Sequence, residues 1–127
     1  MDVARILVVE DNPDNSDLVV DVLTLRGHEV IQAANGREGV EMARVRHPDL
    51  ILMDISLPIV DGFAATEEIK RDPQLKPVPV IALTAHAMAG DEKRALAAGC
   101  NGYITKPIDI KTFANRIQAF LKGPSNA

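Results

Sequence analysis

The sequence predicts an α/β protein, with one five-stranded parallel sheet carrying helices on both faces. Three observations predict it. Ile6-Leu7-Val8-Val9 and Leu50-Ile51-Leu52-Met53 are continuous apolar runs without polar alternation, the pattern of strands buried on both faces. Strand-like and helix-like segments then alternate five times along the chain, which implies parallel strands joined by right-handed crossovers. Finally, 127 residues at 46% apolar and 25% charged suit one domain around one core.

The first strand, Ile6 to Val9, ends in Glu10-Asp11. Asn12-Pro13-Asp14 then opens a helix, because proline is tolerated in the first turn and acids suit the positive end of the helix dipole. Leu18, Val19, Val22, Leu23 and Leu25 form its expected apolar stripe, and Gly27 stops it where a left-handed residue is wanted. Glu29 to Ala34 is the second strand. Asn35 and Glu38, three residues apart, carry the capping-box pattern of a second helix. That helix runs to about Val45 and is ended by His47-Pro48.

The third strand runs from Leu50 into Asp54. Pro58 and Asp61-Gly62 then signal a break and a restart. A third helix follows, with Phe63, Ile69 and small alanines inside, and it decays into Asp72-Pro73. Val78 to Leu83 is the fourth strand, ending at Thr84, with Pro79 arguing against full pairing at its start. Residues 85–99 read as a weaker helix packed through Ala95, Leu96 and Ala98. Gly102-Tyr103-Ile104-Thr105 is the fifth strand, closed by Lys106-Pro107. Asp109 caps a last helix whose stripe is Ile110, Phe113, Ile117, Phe120 and Leu121. The expected domain is residues 1–122, with 123–127 a frayed tail.

Composition narrows the function classes. A net charge of −4 argues against a general nucleic-acid binder. Cys100 is the only cysteine, which rules out an intramolecular disulfide and a thiolate metal cluster, and it reads as a packed small residue. His28 and His47 have no partner histidine at metal spacing. Residues 1–5 lack the pattern of a signal peptide, and no apolar run approaches the ~20 residues that span a bilayer. The expectation is a cytoplasmic protein without a membrane partner.

In a parallel sheet the carboxyl ends of all strands lie on one edge. Strand one presents Glu10 and Asp11 there, strand three Asp54, strand four Thr84 and strand five Lys106. With the order 2-1-3-4-5, strands one and three are neighbours at the switch point and the three carboxylates converge. Such a cluster repels itself unless a cation sits within it, and oxygen ligands suit a hard divalent ion such as Mg²⁺. Lys106 and Thr84 add a compact charge and a hydroxyl suited to phosphate oxygens. Singly, each residue has a plainer reading: helix-capping acids, a strand-end threonine, a surface lysine. Their joint placement at successive strand ends points to a phosphoryl group held on or near Asp54.

Glu10-Asp11, the run from Met53 to Pro58 with Asp61-Gly62, the stretch Ala82-Leu83-Thr84-Ala85 and Lys106-Pro107 resemble the receiver domain of bacterial two-component response regulators. The resemblance covers about residues 4–122 and implies a flavodoxin-like fold. It implies that Asp54 accepts a phosphoryl group from a histidine of a sensor kinase or phosphotransfer protein. It also implies that Asp11, Asp54 and the backbone carbonyl of Ser56 bind Mg²⁺ (Mn²⁺ would serve too), with Glu10 acting through water. Lys106 would pair with phosphoryl oxygens, and Thr84 and Tyr103 would form the switch. Ser56 and His86, each two residues beyond a site residue, would tune loss of the phosphate. Output would run through a face around Ala87, Met88, Ala95, Tyr103 and Lys111.

On this reading the protein is a single-domain phosphorylation switch that catalyses its own phosphotransfer and dephosphorylation and turns over no small molecule. A phosphorelay intermediate passing the group onward is the near alternative. A Mg²⁺-dependent phosphatase with Asp54 as nucleophile is less favoured, because no second acid stands two residues after Asp54. A nucleotide-binding module lacks a glycine-rich loop after the first strand.

Overall fold

The computed structural model describes residues 4–55, 62–84, 89–105 and 109–122. Strands and helices alternate: β1 (Arg5–Val9), α1 (Pro13–Leu25), β2 (Glu29–Ala33), α2 (Gly36–Arg46), β3 (Leu50–Asp54), α3 (Gly62–Arg71), β4 (Val80–Thr84), α4 (Ala89–Ala98), β5 (Gly102–Thr105) and α5 (Ile110–Lys122). The strands form one parallel sheet in the order β2-β1-β3-β4-β5, as the sequence predicts. Residues 123–127, expected as a tail, lie outside the described residues.

The unbroken apolar runs follow from double burial. Successive strand residues point to opposite faces, and here both faces are covered. Leu7, Val9, Ile51, Met53, Val80 and Ala82 pack in one layer with Val40 and Ala43 of α2, Ala65 and Ile69 of α3 and Ala95 of α4. Ile6, Val8, Leu50, Leu52, Ile81 and Leu83 pack in the other with Val19, Val22 and Leu23 of α1 and Phe113 and Ile117 of α5. β3 is buried along its whole length, so Asp54 is the continuation of a fixed, central strand.

The helix ends behave as their residues dictate. Asn35 Oδ1 accepts the Glu38 N–H at 2.8 Å, and Glu38 reaches back to accept the Ala34 N–H at 2.8 Å. α2 closes on His47 in the left-handed region (φ 49°, ψ 65°), its N–H bonded to Ala43 O, immediately before Pro48. Gly27 (φ 87°) and Gly99 (φ 111°) follow α1 and α4. Asp109 Oδ1 accepts the Lys111 N–H at 3.0 Å, which caps α5.

The structure corrects three expectations. β4 begins at Val80 rather than Val78, because the Val78 N–H still closes a turn onto Leu75 O and Pro79 has no N–H to give a ladder. Leu25 is 87% exposed: it follows Leu23 by two residues, about 200° around the helix, and so leaves the buried stripe. Leu96 is 55% exposed, because Ala95 and Ala98 define the buried side of α4 and Leu96 lies away from both. Of the expected helix over 85–99, residues 85–88 lie outside the described residues. Among the described residues no helix is long and apolar enough to cross a membrane.

Candidate functional site

The sheet register brings the acidic residues together. Val9 of β1 pairs with Met53 of β3, so Glu10 and Asp54, each one residue further along, lie side by side where the two strands end. Carboxylate oxygens of Glu10, Asp11 and Asp54 lie within 4.8 Å of one another. Glu10 and Asp54 are buried and Asp11 is exposed, so the cluster is a half-open cup with one acid at its rim. The expected convergence of three carboxylates is therefore present.

Local backbone bonds hold each acid. The Glu10 N–H bonds to Ala33 O of β2 at 3.0 Å, and Glu10 Oε2 accepts the Asn12 N–H at 3.3 Å, in the turn leading into α1. Asp54 pairs with Leu83, and the Ile55 N–H bonds to Leu83 O at 3.2 Å, carrying the β3–β4 ladder one residue past the acid. An open cleft of about 260 Å³ borders the cluster, lined by Glu10, Asp11, Ser16, Asp17, Gln32 and Glu38 among others. Ser16 Oγ donates to Gln32 Oε1 at 2.8 Å across that cleft.

Gly62 is a site residue whose structural role the sequence does not reveal, since Asp61-Gly62 reads there as a restart signal and as part of the receiver-domain resemblance. A Cβ at position 62 would lie 2.3 Å from the Asp54 carbonyl oxygen and 2.5 Å from Ile55 Cα. The first residue of α3 thus abuts the backbone of Asp54, an approach that only glycine permits.

The remaining expected residues divide into two groups. Thr84 ends β4, one residue beyond the Leu83 that pairs with Asp54, so its backbone is at the expected edge. Tyr103 pairs with Ala82 in β5 and is partly buried against the layer that includes Met53 and Ala95. Its carbonyl accepts a bond from Arg116 of α5 at 2.9 Å. Ser56, His86 and Lys106, with Ala87 and Met88 of the expected output face, lie outside the described residues. Lys111 is exposed, but Ala95 is fully buried under α4 and cannot belong to an exposed face. Cys100 is buried, as expected.

Oxygen donors at this spacing fit a hard divalent cation, which Glu10, Asp11 and Asp54 would hold. No described residue of the cluster offers the sulfur or imidazole that would favour zinc.

Comparison with known proteins bears on the same arrangement. The family described as the response regulator receiver domain matches residues 6–118. The chain is 46% identical over 116 residues, 91% of its length and 94% of the relative's, to the polar-differentiation response regulator DivK of Brucella ovis, and equally to that of Brucella abortus. Among solved structures it resembles the receiver domain of the sensor histidine kinase PA1611 of Pseudomonas aeruginosa, which holds a magnesium ion in its active-site cleft. That match has TM-score 0.89 and 38% identity, covering 95% of this chain and 99% of that one. The chemotaxis protein CheY4 of Vibrio cholerae matches with TM-score 0.87 and 28% identity, covering 92% of this chain and 98% of that one. An acid cup at the switch point of a 2-1-3-4-5 sheet and a family match over almost the whole chain agree: this chain belongs to the response regulator receiver domains of two-component signalling.

Proposed function

We propose that this receiver domain is a phosphorylation switch in which Asp54 takes a phosphoryl group from a phosphohistidine of a sensor kinase or phosphotransfer protein. The observation that carries the reading is the convergence of Glu10, Asp11 and Asp54 oxygens within 4.8 Å, with Asp54 buried at the end of the central strand. In the transfer, a carboxylate oxygen of Asp54 attacks phosphorus, the P–N bond to the donor imidazole breaks, and the electron pair stays on the departing nitrogen. The product is an acyl phosphate on Asp54.

Asp11 and Asp54 would hold Mg²⁺ directly and Glu10 through water, with the Ser56 carbonyl as a further ligand and Mn²⁺ an effective substitute. A bound divalent ion supplies charge neutralisation for the phosphoryl oxygens. The protein's own part is placement. The rigid β3 strand fixes the nucleophile, and the exposed Asp11 leaves the cup open to an approaching donor. Lys106 and Thr84 pair with the transferred group, and Ser56 and His86 set how long it survives. Thr84 and Tyr103 couple the group to the rest of the fold by new phosphate hydrogen bonds that favour one of two packings. The DivK relatives, matched over 94% of their length, are named as response regulators, which supports signalling through protein contacts.

The test is intact-mass analysis after incubation with Mg²⁺ and acetyl phosphate. One labile phosphoryl group per chain is expected on the native protein and none on Asp54→Asn. An adduct that persists in Asp54→Asn refutes the assignment.

A further inference from the structure

We infer that Thr66 is a positioning residue for the Asp54 site, holding the first turn of α3 against the phosphoacceptor strand. The inference rests on the reading of Asp54 as nucleophile and names the part of the scaffold that sets its backbone.

Gly62 and the Asp54–Ile55 backbone meet without an intervening side chain, so a displacement of the first turn of α3 passes directly to Asp54. Thr66, one turn further along, is fully buried, and its Oγ1 donates to Gly62 O at 2.7 Å. A hydroxyl bonded to the carbonyl four residues back competes with the helix's own ladder and bends the turn it touches. That bond therefore sets the angle at which Gly62 meets Asp54.

The hydroxyl is held from its other side. Cys100 Sγ lies 3.8 Å from Thr66 Oγ1 and donates its S–H to it. Burial pushes the Cys100 thiol up from its ordinary value, which keeps the proton on sulfur. Cys100 is itself fixed where α4 turns into β5, with its N–H on Ala95 O at 2.9 Å and the next N–H, of Asn101, on Val80 O at 2.7 Å. A second tie runs parallel one turn below. Lys70 Nζ donates to Asn101 Oδ1 at 3.0 Å and to Val78 O at 2.6 Å. The α3 helix is thus pinned to the α4–β5 junction at two levels. The upper pin ends on the carbonyl of the residue that touches Asp54.

The experiment compares Thr66→Val, which keeps the volume and removes the hydroxyl, with Thr66→Ser, which keeps the hydroxyl. Two quantities are read with Mg²⁺ present: the amide chemical shifts of Asp54 and Ile55, and the maximal rate of phosphorylation by acetyl phosphate. Thr66→Val is expected to move both amides and to lower the rate about three- to five-fold, the scale of one net hydrogen bond. Thr66→Ser is expected to restore both. Cys100→Ala, which removes the group behind the hydroxyl, is expected to move the same amides in the same direction, and it decides the matter if Thr66→Val does not fold. Unchanged amides in a folded Thr66→Val, or a change that Thr66→Ser does not reverse, overturns the inference. If the native chain takes up no phosphoryl group, the phosphoacceptor reading falls, and the Asp54 and Ile55 shifts still decide whether Thr66 sets that backbone.

Discussion

Among the described glycines, replacing Gly62 by alanine should disturb the site most. The added Cβ would stand 2.3 Å from the Asp54 carbonyl oxygen, 2.5 Å from Ile55 Cα and 2.9 Å from the Asp54 carbonyl carbon, where ordinary contact begins at 3.4 Å. All three are backbone atoms of the central strand, so no rotamer can relieve the overlap. Either α3 or the Asp54 peptide must move by about an ångström. Overpacking of this kind costs about 1–3 kcal/mol. Alanine's better helix propensity returns up to about 1 kcal/mol of that. A net loss near 1–2 kcal/mol should lower Tm by several degrees, since ~1 kcal/mol shifts a domain of this size by about 4 °C.

Gly102→Ala is the control. Its Cβ would lie equally close, 2.3 Å, to Phe120 Cζ, but that is the tip of a partly buried ring on α5 and not strand backbone. The assay pairs thermal unfolding with Mg²⁺ titration. Gly62→Ala should lose stability and bind Mg²⁺ more weakly, and Gly102→Ala should keep the native Mg²⁺ affinity. A Gly62→Ala protein with native Tm and native Mg²⁺ affinity would refute the argument from close approach.

Two further outcomes are expected. His28 Nδ1 accepts the Ala4 N–H at 3.0 Å, and burial, with the nearby Arg26 charge, lowers its pKa below the ordinary 6.5. The unfolded chain then takes up a proton near pH 6.5 before the folded one does. Stability is full above that pH and falls as pH drops through it, so Tm should decline between pH 7.5 and 5.5, and His28→Leu should flatten that slope. An unchanged slope would remove His28 as the cause. Glu10→Gln keeps an oxygen for the Asn12 N–H while removing one of three clustered charges. Without divalent ions its Tm should exceed that of the native chain. Mg²⁺ at a hundredfold excess over Kd stabilises the native chain by about 2.7 kcal/mol, and Glu10→Gln should show a smaller gain in the same titration.

The fold was legible because β1, β3 and β4 are buried on both faces. Double burial writes itself as unbroken apolar runs, and the alternation with helical stripes then leaves few topologies. The acid cup was legible for the same reason: where apolar runs end in Glu10-Asp11 and Asp54, the register of two adjacent parallel strands places those ends together. Helix faces were harder to read. Leu25 and Leu96 are hydrophobic by type, but which side of α1 or α4 meets the sheet is fixed by tertiary docking, and both ended in solvent. Ala95 carries two sequence readings, a packed residue of the fourth helix and a member of the output face, and only the first holds, since it is fully buried. The α3 contacts were invisible for a different reason. Gly62 carries no side chain to signal its approach to Asp54, and Thr66 and Cys100 are separated by 34 residues, so neither identity nor spacing announces their bond. Strand ends name the groups that do chemistry. The residues that hold those groups in place lie in packed helices, and only the packing shows them.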